Sequence, residues 1–599
     1  MLAAASLFVT TSVSHAQNIT KADAAKAGTI TVNGNVTNIT PDKIVNGGNT
    51  AINQFAKFEL DRGNIANLQL DRAGTLVNFV DSKVNINGIV NAVKDNKIGG
   101  NLYFLSPNGI AVGATGVINA GKVGMIVPHK QVYDYLLQQQ DAFSDELFSD
   151  KTVVDRIALN TDGSIVVAGS INAPGGIALT AQNVKIESGA KLLNTNTIDF
   201  SNLVNTVNVE GVEVSSGLDS NLTLTADKNG GIYLSARVDD NTINTKIGIT
   251  DAIGFGIDKV EDPLTASITV GKDAEIISDV DVNLSSTVTA NRSTLLNKND
   301  TTSNFYGFAS NLDVAGKIKA RNINLESKIV DNYTHISKVD GDTELDLSIL
   351  FDVFAVMNSS RLLQDFGHIA NGYVFRGDAA TINIDQTAAL DAAKNIDVNA
   401  ASEIKTTLTA SATSKDNSGG AALNITSLSG SSTLNIGGAI KAGGDINLNS
   451  TSGTDITSLA EVNFDKSNNT ATSLALNLAF TTNLAALTIS NSADINAGGK
   501  LNVSSLAKTP VDVRTVLNRE GSGLGAMTLN GMTINSSATL DSYGTMTANG
   551  DINITAKNSA PTYEIASAIL VSNPVSGMTQ TPEEAAKTQK TGGSNYGVH

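Results

Sequence analysis

Short apolar runs closed by turn residues set the pattern of the chain between positions 46 and 127. The runs are four to seven residues long, and Gly, Asn or Asp ends each of them. Such punctuation predicts strands joined by turns, and the runs are too short for helices. Isolated short strands cannot bury a core as a two-stranded ribbon, but stacked coils can. We therefore expect an all-β fold, a single-stranded right-handed parallel β-helix.

A looser repeat follows beyond position 192. Each copy has a turn of small residues and then an alternating strand, and the copies lie at 279–286, 320–327, 393–400, 442–450, 497–505 and 548–556. The last three recur about every fifty residues. With roughly 20 to 25 residues per coil, one repeat makes about two coils. Stacking at about 4.8 Å per strand then predicts a rod on the order of 100 Å long.

The residue types suit stacked coils. Gly and Asn tolerate the positive φ that tight corners require, and stacked Asn side chains can hydrogen-bond along the rod axis. Inward Ile, Val and Leu would form ladders from coil to coil. Ile446 and Ile552 are predicted to point inward, where each contributes roughly 1.5 to 3 kcal/mol, so replacing either with Asp should cost several kcal/mol locally.

Two segments depart from the strand rhythm. Positions 18–48 precede the regular coils and are predicted to cap the open first coil, because an exposed strand edge invites pairing with other chains. After Pro128, the positions of Val132, Tyr135, Leu136 and Phe143 predict one helix on the outside of the solenoid.

Composition supports one thin continuous core. The 599 residues include no Trp or Cys and only 5% aromatic residues, which would fill several separate cores poorly. The net charge of -17 disfavours nucleic acid and anionic lipid as partners. A chain without cysteine can cross an oxidising compartment without forming cross-links.

The ends of the chain predict export. Residues 1–16 read as the remnant of a signal peptide cleaved after Ala16, with no Lys or Arg before the apolar run; a buried N-terminal helix is the alternative. The tail 573–599 is polar and is predicted to be disordered. The predicted organisation is a signal remnant at 1–16, a first β-helix domain with its cap at 17–195, a repeat region at 196–572 and this tail.

Two motifs carry a resemblance to a known family. They comprise Asn49, Phe55 and Phe58 in the first, and Ser106, Pro107, Asn108, Gly109 and Ile110 in the second. Together they resemble the N-terminal secretion domain of filamentous-haemagglutinin-type exoproteins, the cargo of two-partner secretion. Ser106 stands where the family motif opens with Asn, and an Asn-Pro-Asn-Leu motif found in some members is missing from 81–93. The repeats resemble those of leukotoxin-type filamentous adhesins.

The resemblance implies a function and a partner. Such a chain would be an adhesin, secreted or held at the cell surface, and its motif region would engage the periplasmic docking domains of an outer-membrane transporter. Folding coil upon coil from the cap would drive export. The host receptor or glycan is not specified. Two alternatives stay open: a polysaccharide-processing β-helix enzyme, and the N-terminal stalk of a contact-dependent toxin.

Candidate chemical groups are few. Asp340, Asp342, Glu344 and Asp346 alternate along one strand face, but Leu345 and Phe351 occupy positions where a calcium loop needs Gly and Glu, so a solvated acidic face is favoured. The histidines lie apart, and Ser522 lacks the context of a nucleophile elbow. We therefore predict no enzyme activity, no metal and no cofactor.

One tripeptide is a candidate receptor-binding site. Arg376, Gly377 and Asp378 form the integrin-binding signal of many matrix proteins, and they precede a strand-like run. A position at a corner would present them to a receptor. Three-residue matches also arise by chance.

Overall fold

The structure is a computed structural model of the chain, and the following account covers its described residues. These are 18–22, 28–140, 157–161, 163–195, 230–240, 264–296, 303–340, 366–414, 419–464, 473–520, 526–559 and 563–572, with short strands at 197–199, 207–209, 212–214, 223–225 and 243–244. The signal remnant, the 573–599 tail, Phe143 and Ser522 lie outside them.

The first part of the chain contains short strands, one 3-10 turn at Asn46–Gly48 and the helix α1 at Lys130–Gln138. The strands are β1 Asn18–Lys21, β2 Ile30–Asn33, β3 Val36–Ile39, β4 Lys43–Val45, β5 Thr50–Leu60, β6 Ile65–Gln69, β7 Thr75–Val80, β8 Val84–Ile86, β9 Ile89–Lys94, β10 Lys97–Ile98, β11 Asn101–Leu105, β12 Ile110–Val112, β13 Val117–Asn119, β14 Lys122–Ile126, β15 Ser164–Val167, β16 Ser170–Asn172, β17 Ile177–Ala181, β18 Asn183–Ile186 and β19 Lys191–Asn194.

The rest of the chain alternates short strands with strands of up to 19 residues. They are β20 Thr197–Asp199, β21 Val207–Val209, β22 Val212–Val214, β23 Thr223–Thr225, β24 Gly231–Asp240, β25 Ile243–Asn244, β26 Leu264–Val270, β27 Glu275–Ser278, β28 Asp281–Leu296, β29 Ser303–Val314, β30 Lys317–Ala320, β31 Asn322–Asp340, β32 Phe366–Ile384, β33 Ala389–Ala392, β34 Ile396–Ser414, β35 Gly419–Ile436, β36 Ala439–Ala442, β37 Ile446–Phe464, β38 Ser473–Ile489, β39 Asp494–Ala497, β40 Leu501–Lys508, β41 Val511–Glu520, β42 Ala526–Ser542, β43 Thr545–Ala548, β44 Ile552–Asn558 and β45 Tyr563–Ser572.

These strands stack in parallel on three faces, which confirms a parallel β-helix. Face one is a ladder of twelve strands, β5, β7, β11, β14, β17, β24, β28, β31, β34, β37, β40 and β44. Face two is β8, β12, β15, β18, β26, β29, β32, β35, β38 and β42. Face three is β3, β6, β9, β13, β16, β19, β27, β30, β33, β36, β39 and β43.

Coil size changes along the rod, and the expectation of two coils per repeat is wrong. Near the start, Leu76 pairs with Leu102, so one turn of the backbone takes 26 residues. In the repeat region, Ile396 pairs with Ile446, so one turn takes 50 residues. The twelve face-one strands of the described residues, at about 4.8 Å each, span about 50 Å rather than 100 Å. Each repeat is one wide coil because its face-one and face-two strands are long.

The core follows this geometry. A continuous apolar column runs along the axis beside face three, from Ile19 to Val503. In the wide coils the long strands of faces one and two also pack against each other, and two further clusters fill that space, one of which joins Ala410 to Ala422. Ile446 is 0% exposed, as predicted. Ile552 is in register with the inward Leu501, as predicted, but it is 45% exposed because no described strand of face one stacks beyond β44.

Asparagine ladders run along the axis, as expected. On face three, each amide nitrogen donates to the side-chain oxygen of the coil before it at 2.9–3.0 Å, through Asn38, Asn67, Asn91, Asn119 and Asn172. Positive φ at non-glycine positions is limited, among described residues, to Asn and Asp, namely Asn46, Asp71, Asp95, Asn96 and Asp273. The side-chain amides of the face-three ladder hydrogen-bond to one another along a buried column. The ladder therefore fixes the register from coil to coil.

The two irregular segments flank the first coils. β1 and β4 pair antiparallel to β5, so the start of the chain covers the edge of the first coil. Helix α1 packs on the outside of face one through Tyr133 and Leu136. Tyr135 was expected on the packing face but is 62% exposed. The buried residues of the helix are Tyr133 and Leu136, which are spaced i, i+3 and so share one face that excludes Tyr135.

Candidate functional site

The second motif forms a corner of the third regular coil. Residues 106–109 turn the chain from β11 on face one to β12 on face two. They stack on the corner 81–83, which joins β7 to β8, and β5 bends between the same two faces in the coil below. Ser106, Pro107 and Gly109 are buried, whereas Asn108 is exposed. The motif therefore presents one side chain to solvent from a rigid turn.

Hydrogen bonds hold this corner to its neighbours. Ser106 Oγ donates to the carbonyl of Ser82 at 2.8 Å, and Asn108 Nδ2 donates to the carbonyl of Asp81 at 2.6 Å. Ser106 Oγ also accepts from the Asn108 N–H at 3.2 Å. Serine at position 106, where the resembled family has Asn, thus supplies both the cap of the turn and a link to the coil below.

Glycine is required at position 109. Its φ is +93°, and a Cβ there would lie 2.9 Å from the carbonyl oxygen of Ser164 in the coil above. Both the conformation and the close backbone approach exclude a larger residue. Ile110 begins β12 and is buried in the axial column. Gly109 and Ile110 therefore shape the corner, and Asn108 is its exposed member.

The first motif places its two aromatic residues in the core and its Asn49 at the surface. Phe55 and Phe58 are both fully buried, with ring centroids 5.2 Å apart in an edge-to-face arrangement. Phe58 makes the same contact with Phe104, two coils above, also at 5.2 Å. Asn49 accepts main-chain hydrogen bonds at its carbonyl oxygen from Gly74 and Thr75. These residues build the coils that carry the exposed corner.

Three further residues hold this corner and were not predicted from the sequence: Asp81, Tyr133 and Asn160. Tyr133 of α1 donates to Asp81 Oδ1 at 2.8 Å and packs edge-to-face on Phe79, with centroids 5.6 Å apart. Asn160 Nδ2 donates to the carbonyl of Pro107 at 2.5 Å. Burial, followed by the bond to Asp81, raises the pKa of Tyr133. Of these residues, Asp81 could have been found from the sequence, because it lies about one coil length before Asn108.

The tripeptide Arg376-Gly377-Asp378 does not lie at a corner, so that expectation is wrong. It lies within β32, and the Arg376 side chain is only 1% exposed. Arg376 Nη1 is 2.7 Å from Asp331 Oδ2, and Arg292 Nη2 lies 3.8 Å from the other oxygen of Asp331. The two charged side chains of the tripeptide belong to this buried cluster and are not presented to a receptor in the folded chain.

Burial governs protonation in the cluster. It raises the pKa of Asp378 well above its usual range, and the neighbouring Asp331 carboxylate raises it further. It also raises the pKa of Asp331, although Arg376 and Arg292 oppose the effect. Asp378 is therefore the more readily protonated of the two carboxyls, and its Oδ1 accepts from the Phe308 N–H at 3.1 Å. The arrangement neutralises buried charge.

Other candidate groups remain separate. Asp342, Glu344 and Asp346 lie outside the described residues, as does the side chain of Asp340 at the end of β31. His129 caps α1, and His335 is buried with its Nε2 donating to the carbonyl of Asn371 at 2.9 Å. Within the described ranges no group of three or more His, Asp or Glu could hold a metal ion.

Comparisons with known proteins add little. No family model matches the chain, and no curated protein matches it. Among solved structures, the chain is similar to the crystal structure of the HMW1 secretion domain from Haemophilus influenzae, with 13% identity over 90% of this chain and 99% of that one. The TM-score is 0.23, a value too low to carry an argument. Within the described part of the chain, no helix has the length and apolarity needed to cross a membrane.

Proposed function

We propose that the chain is a secreted or cell-surface adhesin exported by two-partner secretion, with leukotoxin-type filamentous adhesins as the group it resembles. Its proposed partner in export is an outer-membrane transporter with periplasmic docking domains. The proposed role after export is attachment to host cells or surfaces, which needs no catalysis and no cofactor.

One observation carries the export part of the proposal. In the two motifs that resemble the secretion domain, six of the eight residues are buried, and the two exposed ones are Asn49, which precedes β5, and Asn108, which reaches solvent from the hydrogen-bonded corner. An exposed side chain on a rigid corner suits recognition by a docking domain, because binding then costs little ordering. We infer that Asn108 contacts the transporter and that the other residues position it.

The test replaces Asn108 with Ile in the full chain, expressed in its own bacterium. We expect the variant to be retained in the periplasm, with culture-medium and surface levels reduced at least tenfold by immunoblotting. The purified variant should keep the far-UV circular dichroism of the wild-type protein. It loses one exposed hydrogen bond, worth about 1 kcal/mol.

A matched control lies in the same coil. Thr115 is exposed at a different corner, and its Oγ1 donates to the carbonyl of Asn87 at 2.7 Å, so Thr115→Ile removes an equivalent bond outside the motif. Thr115→Ile should be exported normally. Equal export of the two variants would show that position 108 has no special role in recognition.

A further inference from the structure

A groove of about 620 Å³ runs along the corner between face two and face three in the wide coils. Its walls come from five successive coils, at the points where β26, β29, β32, β35 and β38 end. The lining combines the polar residue types Asn, Asp, Thr, Ser and Gln with Val, Ile, Ala and Gly, and contains no aromatic residue. Its volume lies within the range of about 300–1,000 Å³ found for ligand sites.

The floor of the groove carries one polar side chain per coil, in register. The ladder reads Thr269, Asp313, Asn383, Asn435 and Thr488. Asn383 Nδ2 donates to Asp313 Oδ1 at 2.7 Å, and Asn435 Nδ2 donates to Asn383 Oδ1 at 2.8 Å. An amide has two N–H donors, and its oxygen, like each carboxylate oxygen, has two lone pairs. These bonds therefore fix the side chains and leave further donors and acceptors on them.

The rim of the groove adds fixed polar groups. Asp385 Oδ1 accepts from both the N–H and the hydroxyl of Thr387, at 2.8 Å each. These bonds lower the pKa of Asp385, so its carboxylate is ionised at neutral pH. On the next-but-one coil, Ser492 Oγ donates to the carbonyl of Gly437 at 2.9 Å. The turns after β32 and β38 thus add an ionised acceptor and a hydroxyl to the groove.

We propose that this groove binds an extended neutral oligosaccharide, with successive sugar rings lying along successive coils. Sugar hydroxyls need closely spaced donors and acceptors, which the ladder supplies at a step of about 4.8 Å, near the length of one sugar ring. Asp313 and Asp385 disfavour sulfated or carboxylated chains. This inference rests on the proposed attachment function and names its ligand class.

Isothermal titration of the full chain tests the inference, with hexasaccharides of β-1,4-linked glucose, β-1,4-linked N-acetylglucosamine and α-1,4-linked glucose as neutral probes and a heparin hexasaccharide as the anionic one. At least one neutral probe should bind, and heparin should not. Asn383→Ala together with Asn435→Ala should weaken that binding at least tenfold. Asn435→Lys, which places a long side chain in the groove, should do the same without removing the neighbouring amide.

The control uses a second ladder of the same kind. Asn502 donates to Asn447 at 2.7 Å on face one, away from the groove, so Asn502→Ala should leave sugar binding unchanged. Thermal melts establish that each variant is folded. Absence of binding by every neutral probe, or binding that the groove variants do not affect, overturns the inference. Attachment of the same variants to host cells is measured in parallel. Normal attachment of the groove variants would overturn the groove as the attachment site and leave the adhesin function standing. A wild-type chain that does not attach would overturn the adhesin function.

Discussion

The buried cluster in β31 and β32 allows a sharp comparison between two identical substitutions. Asp331 lies between Arg376 and Arg292, whereas Asp378 neighbours Asp331 and has a pKa that burial raises well above its usual range. Both carboxyls are almost completely buried. We predict that Asp331→Asn strongly destabilises the protein and that Asp378→Asn does not, although each variant replaces one buried carboxyl with an amide.

The magnitude follows from what each variant leaves behind. Asp331→Asn leaves Arg376 without its counter-ion in the interior, and a guanidinium cannot escape by losing its proton. Breaking a buried pair in this way costs about 3–5 kcal/mol. In Asp378→Asn, the amide oxygen still accepts from the Phe308 N–H and the amide N–H still donates to Asp331. Its cost should stay within about 1 kcal/mol.

The pH dependence gives a second signature. The pKa of Asp378 is raised on folding, so the stability it contributes is fully present below its unfolded pKa of about 3.9 and is lost as the pH rises through its folded pKa. Asp378→Asn removes this loss. The variant should therefore gain stability relative to the wild-type protein as the pH increases from about 4.

Urea unfolding between pH 4 and 8, followed by far-UV circular dichroism, measures both effects, since urea leaves electrostatic interactions unscreened. Hydrogen exchange in 322–340 and 366–384 reports whether the loss is local. Asp281→Asn serves as the control, because Asp281 pairs with Arg321 on the surface, and its effect should be small. The reasoning fails if the two cluster variants have equal free energies of unfolding, or if Asp378→Asn is the less stable of the two.

Two further predictions concern the coil stack. Asn91→Ala should destabilise the first coils by at least about 2 kcal/mol, because Asn67 and Asn119 each lose their ladder partner in a buried column; an unchanged thermal midpoint would contradict this role. Ile446→Asp should create a new site of limited proteolysis nearby, since a charge replaces a fully buried side chain. Ile552→Asp should leave the digestion pattern unchanged, and a matching new cut would show that β44 is covered.

The sequence revealed the solenoid because the narrow coils are locally encoded. Most strands in the first part of the chain are short and rich in apolar residues, and Gly, Asn or Asp commonly follows them. The wide coils were misjudged for a physical reason. In β37 the inward positions read Ile446, Leu448, Ser450, Ser452, Thr454 and Ile456, all buried. Polar residues in the middle of the strand resemble a turn between two short strands, although they line the interior of one long strand.

The charged tripeptide was misjudged because its partners are remote in sequence. Asp331 and Arg292 approach Arg376 only when neighbouring coils stack, and β31 is separated from β32 by residues 341–365. No local pattern distinguishes an exposed Arg-Gly-Asp from one whose charges are neutralised inside. Asn108 could be predicted as a site residue because the motif that carries the resemblance is contiguous in sequence, whereas Tyr133 and Asn160, which hold that corner, come from segments outside the coil.

The rod separates its two proposed tasks along its axis. The corner of Asn108 belongs to a narrow coil near the start, where one turn takes 26 residues, and the groove belongs to wide coils of about twice that length. In a stack each coil contacts mainly its neighbours, so a substitution acts over a short axial distance. Groove variants should therefore be exported normally, and Thr115→Ile should bind sugar normally. Loss of both activities in one variant would indicate a defect in the stack itself, which is why every variant above is paired with a substitution elsewhere in the rod.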